Sequence, residues 1–255
     1  MTHENDAKLG RSEIERYARH IILPEIGGQG QQKLKKARVA VVGAGGLGAP
    51  VLFYLAAAGV GTLGVIDDDT VSLSNLQRQV IHETSAIGKP KVESAKRRLK
   101  AINPHVSIEL FRIRLDKKNI EEIVKNFDVI VDGSDNFATR YLLADCAEIL
   151  RKPLVSGAIG RFDGSLTVLI PFANNNPSYR DLFPSPPPKG VVPSCAEAGV
   201  IGALPGVIGS LMAMEVIKLI TGAGEPLIGR LLLYDGLHAR FDTIHYKRQK
   251  PPAAK

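Results

Sequence analysis

The sequence has no tryptophan, only two cysteines among its 255 residues, and an aromatic content of 5%. So few aromatic side chains leave no evident platform on which single-stranded nucleic acid could stack. Cys146 and Cys195 cannot supply a four-thiolate zinc site, and a lone structural disulfide is not expected in a reducing compartment. Cys146 falls within a predicted helix, where we expect a small buried apolar residue.

Membrane and targeting signals are also scarce. No apolar run reads as long enough to cross a bilayer, and the charged first twenty residues contain no signal-peptide core. We therefore expect a cytoplasmic protein without membrane contact. The net charge of +7 comes from separate basic groups at 33–38, 89–100, 112–118 and 247–250. Dispersed charge of this kind is typical of solvated helix faces and makes nucleic acid an unlikely partner.

From residue 38 onward, short apolar strands alternate with helices. The predicted strands are 39–42, 63–67, 106–112, 128–131 and 153–156, and the predicted helices are 47–58, 91–102, 120–126 and 139–150. This succession predicts an α/β protein with a Rossmann-like, doubly wound and mainly parallel sheet. Strands of mixed or antiparallel direction at 165–170, 230–234 and 239–246 extend it in the C-terminal half, together with a helix at 207–221.

The predicted organisation is a single domain, residues 1–250. Its parts are a helical N-terminal arm (12–37), a nucleotide-binding core (38–170), a crossover loop (171–195), a C-terminal helix and strands (196–246), and a basic tail (247–255). Within the arm we expect a helix at 12–22, followed by glycines 27, 28 and 30, which break the chain. Residues 171–193 hold seven of the sixteen prolines, which predicts a functional loop without regular structure.

A glycine-rich turn follows the first predicted strand and opens a helix. Gly43, Gly45, Gly46 and Gly48 allow the backbone to approach a phosphate, and the helix N-terminus supplies unpaired N–H groups. Asp67 ends the next strand, where a ribose ligand is expected. These features predict an adenine nucleotide, of which NAD is the commonest case, although a glycine turn without a ligand is the alternative.

The polar residues after Asp67 favour a triphosphate. Negative charge that develops on an α-phosphate and on leaving pyrophosphate needs fixed donors. Arg78 and Lys91 suit that task, and Asn75 adds a neutral donor. An ordinary basic surface is the alternative interpretation of both cations.

These residues lie in motifs that resemble the ubiquitin-activating-enzyme superfamily, and within it the bacterial MoeB/ThiF/HesA family, with MoeB-type members the most similar. The resemblance covers residues 12–246. Its motifs are RYARHIIL (16–23), GAGGLG (43–48), DDDTVSLSNLQRQ (67–79), GKPKVESA (88–95), DGSDNFATR (132–140) and SCAEAGVIGALPGVIGS (194–210). Such ordered motifs are far more specific than a glycine turn alone.

The resemblance implies an ATP-dependent nucleotidyltransferase. Its substrate would be the C-terminal glycine carboxylate of a small ubiquitin-fold sulfur carrier that ends in Gly-Gly, and its products an acyl adenylate and pyrophosphate. The carrier of molybdopterin synthase is the first expectation and the thiamine-pathway carrier the alternative, with sulfur coming from a separate protein. Two other classes of protein stay open. One is an NAD-dependent oxidoreductase, and the other is a non-adenylating relative that modifies RNA or acts as a regulatory partner.

The resemblance also assigns roles to residues. Asp67 would hold the ribose, Asn75, Arg78 and Lys91 the phosphates, and Asp135 would position Mg²⁺. Arg19 would reach the partner subunit's active site, which implies a homodimer with composite sites; a pair with Glu15 is the alternative. Asp135 could instead cap the helix near Asn136.

Cys195 matches the family cysteine that can form a thioester or an acyl disulfide with the carrier, but a non-covalent role is the alternative.

One family feature is absent from the sequence. Many members bind zinc through two CxxC pairs, but here residues 178–181 read SYRD and residues 246–252 read YKRQKPP. We therefore expect no zinc. Proline stiffening and the packing of Tyr179, Leu182 and Phe183 are expected to take over part of its role in joining the loop to the C-terminal region.

Overall fold

The strands form one eight-stranded sheet in the computed structural model, which describes residues 8–188 and 198–249. The order is β3-β2-β1-β4-β5-β6-β7-β8; the first five strands run parallel, and the pairs from β5 to β8 are antiparallel. The predicted Rossmann-like fold with its antiparallel extension is confirmed. The strands are β1 Arg38–Val42, β2 Thr62–Ile66, β3 Ser107–Phe111, β4 Val129–Asp132, β5 Leu154–Gly160, β6 Asp163–Leu169, β7 Arg230–Asp235 and β8 Arg240–His245.

Helices cover both faces of the parallel strands. In chain order they are α1 Arg11–Arg16, α2 Ala18–Ile21, α3 Gly27–Lys36, α4 Gly48–Ala58, α5 Lys91–Ile102, α6 Ile120–Val124, α7 Phe137–Ile149, α8 Tyr179–Leu182 and α9 Leu204–Thr221. The predicted division of the domain into segments stays a prediction.

Two apolar clusters fill the space between the sheet and its helices. One cluster contains Leu52 of α4 and Met212 of α9, both fully buried. The other packs Phe127 and Leu143 against Ile130 of β4. Strands with apolar residues on both faces require this double cover. The central strands are thereby fixed, and so are the loops at their carboxyl ends.

The arm differs from its prediction in two places. The glycines at 27, 28 and 30 do not break the chain, because α3 begins at Gly27 and is anchored by fully buried Leu34. A side chain at Gly30 would crowd Ile26 and Thr221, so tertiary contact with α9 offsets the low helix propensity of glycine. The helix predicted at 12–22 is divided at Tyr17, whose buried hydroxyl accepts a hydrogen bond from Asn103 Nδ2 at 2.7 Å.

The proline-rich stretch also contains regular structure. The short helix α8 lies within it, and its first turn is closed by hydrogen bonds from Ser178 N and Oγ to Asp181 Oδ2. The prediction of no regular structure over 171–193 is therefore wrong at α8, because local side-chain hydrogen bonds override the proline-rich composition. Residues 189–193 lie outside the described part of the chain.

One helix corrects the expectation that no apolar run could cross a bilayer. By length and composition α9 passes that test, with 18 residues and a mean hydropathy of 1.5. Half of it is buried in the protein, where it packs against α4 and β5. The buried carboxylate of Glu215 on α9 accepts a hydrogen bond from Leu227 N at 2.8 Å and pairs with Lys218. These contacts are typical of a helix in the core of a protein.

Candidate active site

A cavity lies at the carboxyl ends of the parallel strands. β2 and β3 follow on one side of β1, and β4 and β5 on the other, so the strand order reverses between β1 and β4. Ligands of doubly wound sheets bind at this switch point. The predicted residues that line the cavity are Gly43, Gly45, Gly46, Asp67, Arg78, Lys91 and Asp135.

The glycine turn owes its shape to close backbone contacts. Gly43 has a φ of 93°, and a Cβ there would lie 2.8 Å from the Gly133 carbonyl oxygen. A Cβ at Gly48 would overlap the Gly43 carbonyl oxygen. Gly48 is not among the lining residues, so its contribution in this structure is to let α4 begin directly behind the turn.

Asp67 holds the turn against the end of β2. Its Oδ2 accepts a hydrogen bond from Ala44 N at 2.8 Å, and its Oδ1 accepts one from Asp69 N at 2.9 Å. The carboxylate is half-buried and borders the cavity. Its contact with a ribose stays a prediction.

The two predicted phosphate-binding cations are held differently. Lys91 begins α5, its side chain is buried, and its Nζ lies 2.8 Å from Asp69 Oδ2. That burial contradicts the interpretation of Lys91 as ordinary basic surface. Arg78 is half-buried and donates from Nη1 to Ser74 O at 3.0 Å. Asn75 does not line the cavity, but its carbonyl accepts hydrogen bonds from Arg78 N and Gln79 N at 3.1 and 2.9 Å.

Asp135 lies in the loop after β4 and is exposed towards the cavity. Its only recorded side-chain contact within the described residues is a long hydrogen bond of 3.4 Å from Asn136 Nδ2. The cap of α7 is Asn136, whose side chain accepts from Thr139 N at 2.9 Å, so Asp135 is not the helix cap. The loop is fixed from below by buried Asp132, which accepts hydrogen bonds from Ser134 and Ser156.

A second carboxylate group borders the same cavity. Ligand atoms of Asp67, Asp68 and Asp69 lie within 4.8 Å of one another. Two of these side chains already have partners, however, in backbone amides and in Lys91. Asp68 and Asp135 are therefore the lining carboxylates that remain without a strong partner among the described residues.

Gln79, Arg140 and Arg114 are among the lining residues to which the sequence motifs assigned no role. Gln79 is 5% exposed, and its buried Oε1 has no hydrogen-bond partner in the described part of the chain. Arg140 donates to Ser134 O at 3.2 Å, while its buried Nε likewise has no partner among the described residues. Both residues belong to recognisable motifs, which could have drawn attention to them. Arg114 also lines the cavity but lies in none of these motifs.

The remaining predicted residues lie away from the cavity lining. Arg19 is exposed on α2, and its side chain forms no hydrogen bond or ion pair within residues 8–188 and 198–249, so the pair with Glu15 is not formed. Burial of the Cys146 thiol raises its pKa to about 11, as befits a small apolar residue. Cys195 lies outside the described residues, and its role stays a prediction.

The two segments where the family carries its zinc cysteines contact each other here. Asp181 Oδ1 accepts a hydrogen bond from Gln249 N at 2.7 Å, and the Asp181 carbonyl accepts one from Gln249 Nε2 at 3.2 Å. Arg248 donates to Pro171 O at 2.8 Å. No thiolate is present, and one carboxylate with amides is a poor donor set for structural zinc. Tyr179 is buried against Tyr141, so part of the expected aromatic packing is present.

A family model described as the ThiF family matches residues 17–253. The chain belongs to the ThiF family. The sulfur carrier protein adenylyltransferase of Thermus thermophilus is 53% identical over 241 residues, which are 93% of this chain and 89% of that protein. The SAMP-activating enzyme E1 of Haloferax volcanii is 51% identical over 94% of this chain and 87% of its own length. The predicted MoeB/ThiF/HesA membership is confirmed.

Another relative and two solved structures are also similar to this chain. A probable adenylyltransferase/sulfurtransferase MoeZ of Mycobacterium tuberculosis is 51% identical over 96% of this chain, which spans 63% of that longer protein. PaaA matches with a TM-score of 0.80 at 25% identity, over 94% of this chain and 75% of its own. Escherichia coli MccB crystallised with ATP matches with a TM-score of 0.81 at 21% identity, over 96% of this chain and 74% of the MccB chain. The MccB likeness shows the fold alone.

Proposed function

We propose that this chain is an ATP-dependent adenylyltransferase that activates the C-terminal glycine carboxylate of a small ubiquitin-fold sulfur carrier. The observation that carries the proposal is one cavity in which the glycine turn, Arg78, Lys91 and Asp135 meet. The relatives named as sulfur-carrier adenylyltransferases support it. A dinucleotide-dependent oxidoreductase would leave the two cations and Asp135 without a task. The proposed location is the cytoplasm, where thiol-based sulfur donors stay reduced.

The proposed reaction is displacement at the α-phosphorus of ATP. A carboxylate oxygen of the carrier forms a bond to that phosphorus while the bond to the bridging oxygen breaks, which yields an acyl adenylate and pyrophosphate. In this proposal Arg78 and Lys91 meet the negative charge on the phosphates, and the turn supplies backbone N–H groups. The remaining task of the protein is to align the two substrates.

Asp135 is the residue proposed to hold Mg²⁺. Its carboxylate borders the cavity and has no strong partner among the described residues, and magnesium prefers such oxygen ligands together with substrate phosphates. Bound Mg²⁺ supplies charge neutralisation at the phosphates. Asp135 itself contributes a negative group to the cavity that Arg78 and Lys91 also line.

The experiment that tests the function is ATP–pyrophosphate exchange with purified carriers. We expect exchange to depend on a carrier with an intact Gly-Gly end, and to be faster with the carrier of molybdopterin synthase than with the thiamine-pathway carrier. Deleting the terminal glycine of the carrier is the matched control and should abolish exchange. A protein that binds ATP but exchanges with neither carrier would instead belong with the non-adenylating relatives.

A homodimer with composite sites is proposed from Arg19. The residue is exposed, lacks a partner among the described residues, and lies on the arm near exposed Ile22 and Leu23. An arginine with these surroundings suits contact with a second copy of the chain. Each site would then combine the Arg19 of one protomer with the Asp135 of the other.

A mixed dimer of Arg19→Ala and Asp135→Ala chains tests this arrangement. One of its two composite sites keeps both residues, so we expect roughly half of the wild-type exchange rate, whereas both parent homodimers are inactive. Tandem affinity tags isolate the mixed species. Activity no higher than the mean of the two parents would place Arg19 in its own chain's site or outside the reaction.

We also propose that the protein works without zinc. Asp181 joins the proline-rich loop to the C-terminal segment through its hydrogen bonds with Gln249. Burial raises the pKa of the Asp181 carboxyl, but hydrogen bonds from Ser178 and Gln249 outweigh burial and lower that pKa below its ordinary value. The ionised form is therefore favoured in the folded state. Its stabilisation is present above the ordinary aspartate pKa and is lost as the pH falls through the lowered value.

Asp181→Asn should therefore destabilise the protein by about 1–2 kcal/mol at neutral pH, because an amide cannot accept at both oxygen positions. Urea unfolding of both proteins measures the difference, which should shrink as the pH falls through the lowered pKa of the Asp181 carboxyl and that carboxyl becomes protonated in the folded state. Elemental analysis of the purified protein is the companion measurement. Stoichiometric zinc, or a difference independent of pH, would contradict this account of the contact.

A further inference from the structure

We propose that His82 is a positioning residue that fixes the glycine turn and its distance from helix α5, and so shapes the ATP site. The inference rests on the proposed function of this turn. His82 is 7% exposed, and its two ring nitrogens contact two different elements. Nε2 lies 2.9 Å from the Ala44 carbonyl oxygen, and Nδ1 lies 3.0 Å from Ser94 Oγ.

The partners define the tautomer of the neutral His82 ring. A carbonyl oxygen can only accept, so Nε2 carries the hydrogen and donates it to Ala44. In the neutral ring Nδ1 then has a lone pair and accepts the hydroxyl hydrogen of Ser94. Of the two neutral tautomers, only this one makes both contacts; a protonated ring would keep them by donating Nδ1–H to the Ser94 hydroxyl oxygen.

The hydrogen bond to Ala44 sets the direction of a donor in the turn. The Ala44 N–H is already bonded to Asp67 Oδ2 at 2.8 Å, so Asp67 and His82 together fix both polar backbone groups of this residue. In a trans peptide the N–H points opposite to the carbonyl, so the Gly45 N–H points away from His82. Gly45 lines the cavity, and in the described part of the chain its N–H has no partner, which suits a phosphate oxygen.

The hydrogen bond to Ser94 sets the distance to the lysine. Ser94 is buried on α5, one helical turn after Lys91. Lys91 contacts Asp69, whose backbone N–H is bonded to Asp67. A closed chain of contacts therefore runs from the turn through Asp67 and Lys91 to α5 and returns through His82. Removing the His82 side chain would break this closed chain of contacts.

The charged groups that face His82 are Lys91 and Asp67. Burial lowers the pKa of His82 and Lys91 lowers it further, which outweighs the hydrogen bond to Ala44 and the attraction of Asp67. The lowered pKa thus favours the neutral ring at pH 7, in the tautomer that donates to Ala44 and accepts from Ser94. A sequence search for metal-ligand spacing could not find this role.

ATP binding measured by calorimetry without carrier tests the proposal. His82→Leu keeps a side chain of similar size but removes both hydrogen bonds. We expect the Kd for MgATP to rise about tenfold or more. His82→Gln keeps a donor for Ala44 and should recover most of the affinity. Ser94→Ala, which removes one contact and should fold, is expected to raise the Kd about threefold. Surface His105→Leu is the matched control and should bind like wild type.

Exchange kinetics provide a second readout. The KM for ATP should rise in His82→Leu, while the KM for the carrier stays at the wild-type value. If His82→Leu and Ser94→Ala unfold at lower temperature but bind ATP with the wild-type Kd, His82 serves stability alone and the proposal is overturned. If wild-type protein binds no ATP, the proposed function fails. If all proteins bind but none exchanges, carrier adenylation fails while the role of His82 is still tested.

Discussion

Replacing Asp135 with alanine is expected to lower carrier-dependent ATP–pyrophosphate exchange by about 100-fold or more. The carboxylate is exposed in the cavity that Arg78 and Lys91 also line, and among the described residues its one side-chain contact is the long hydrogen bond from Asn136. Because Asn136 caps α7, the variant should keep its fold. Exchange assays and thermal unfolding of the same preparations measure the two effects separately.

Two further variants make the Asp135 result specific. Asp68→Ala removes another exposed carboxylate from the same cavity, and we expect a much smaller loss. Asp135→Asn keeps size but removes charge, and it should be nearly as inactive as the alanine variant. Near-normal exchange by Asp135→Ala, together with a large loss in Asp68→Ala, would move the cation to the cluster of Asp67, Asp68 and Asp69.

Gly48→Ala is expected to damage both the fold and the ATP site. The added methyl group would overlap the Gly43 carbonyl oxygen, which is backbone and cannot rotate away. Either α4 moves back from the turn or the turn opens, so we expect a loss of about 3 kcal/mol or more in the free energy of unfolding. ATP affinity should fall with it, because the N–H groups of the turn lose their alignment. Denaturant unfolding and calorimetry measure the two losses.

Gly206→Ala provides the control for glycine replacement. Gly206 lies in α9, and a Cβ there would meet no atom within 4 Å. Alanine is the better helix former, so this variant should be as stable as wild type or gain up to about 1 kcal/mol. Equal stability of the Gly48→Ala and Gly206→Ala variants would mean that the contact between the turn and α4 does not constrain the site.

The parts of the site predicted from sequence share one physical property. Gly43, Asp67 and Asp135 each follow the carboxyl end of a parallel strand, so a correct strand pattern brings them to one edge of the sheet. Lys91 begins the predicted helix α5 and faces the same edge. Short motifs are enough to predict such site residues from the sequence, because the surrounding regular structure fixes their positions.

Other features depend on contacts between distant segments. His82 bridges Ala44 and Ser94, and Asp181 meets Gln249 across the C-terminal segment. No local pattern marks these pairs, since each partner is a common polar residue at an unremarkable position. The glycine-containing helix α3 was missed for a related reason, because its packing against α9 outweighs its local propensity.

The central claim is that the cavity joins a carrier carboxylate to AMP. Mass spectrometry of the carrier after a single turnover with MgATP tests it most directly. The account predicts a carrier heavier by one adenylyl group at its terminal glycine, formed together with pyrophosphate and absent with the Asp135→Ala enzyme. An unmodified carrier, with ATP unchanged or converted to ADP and phosphate, would contradict it.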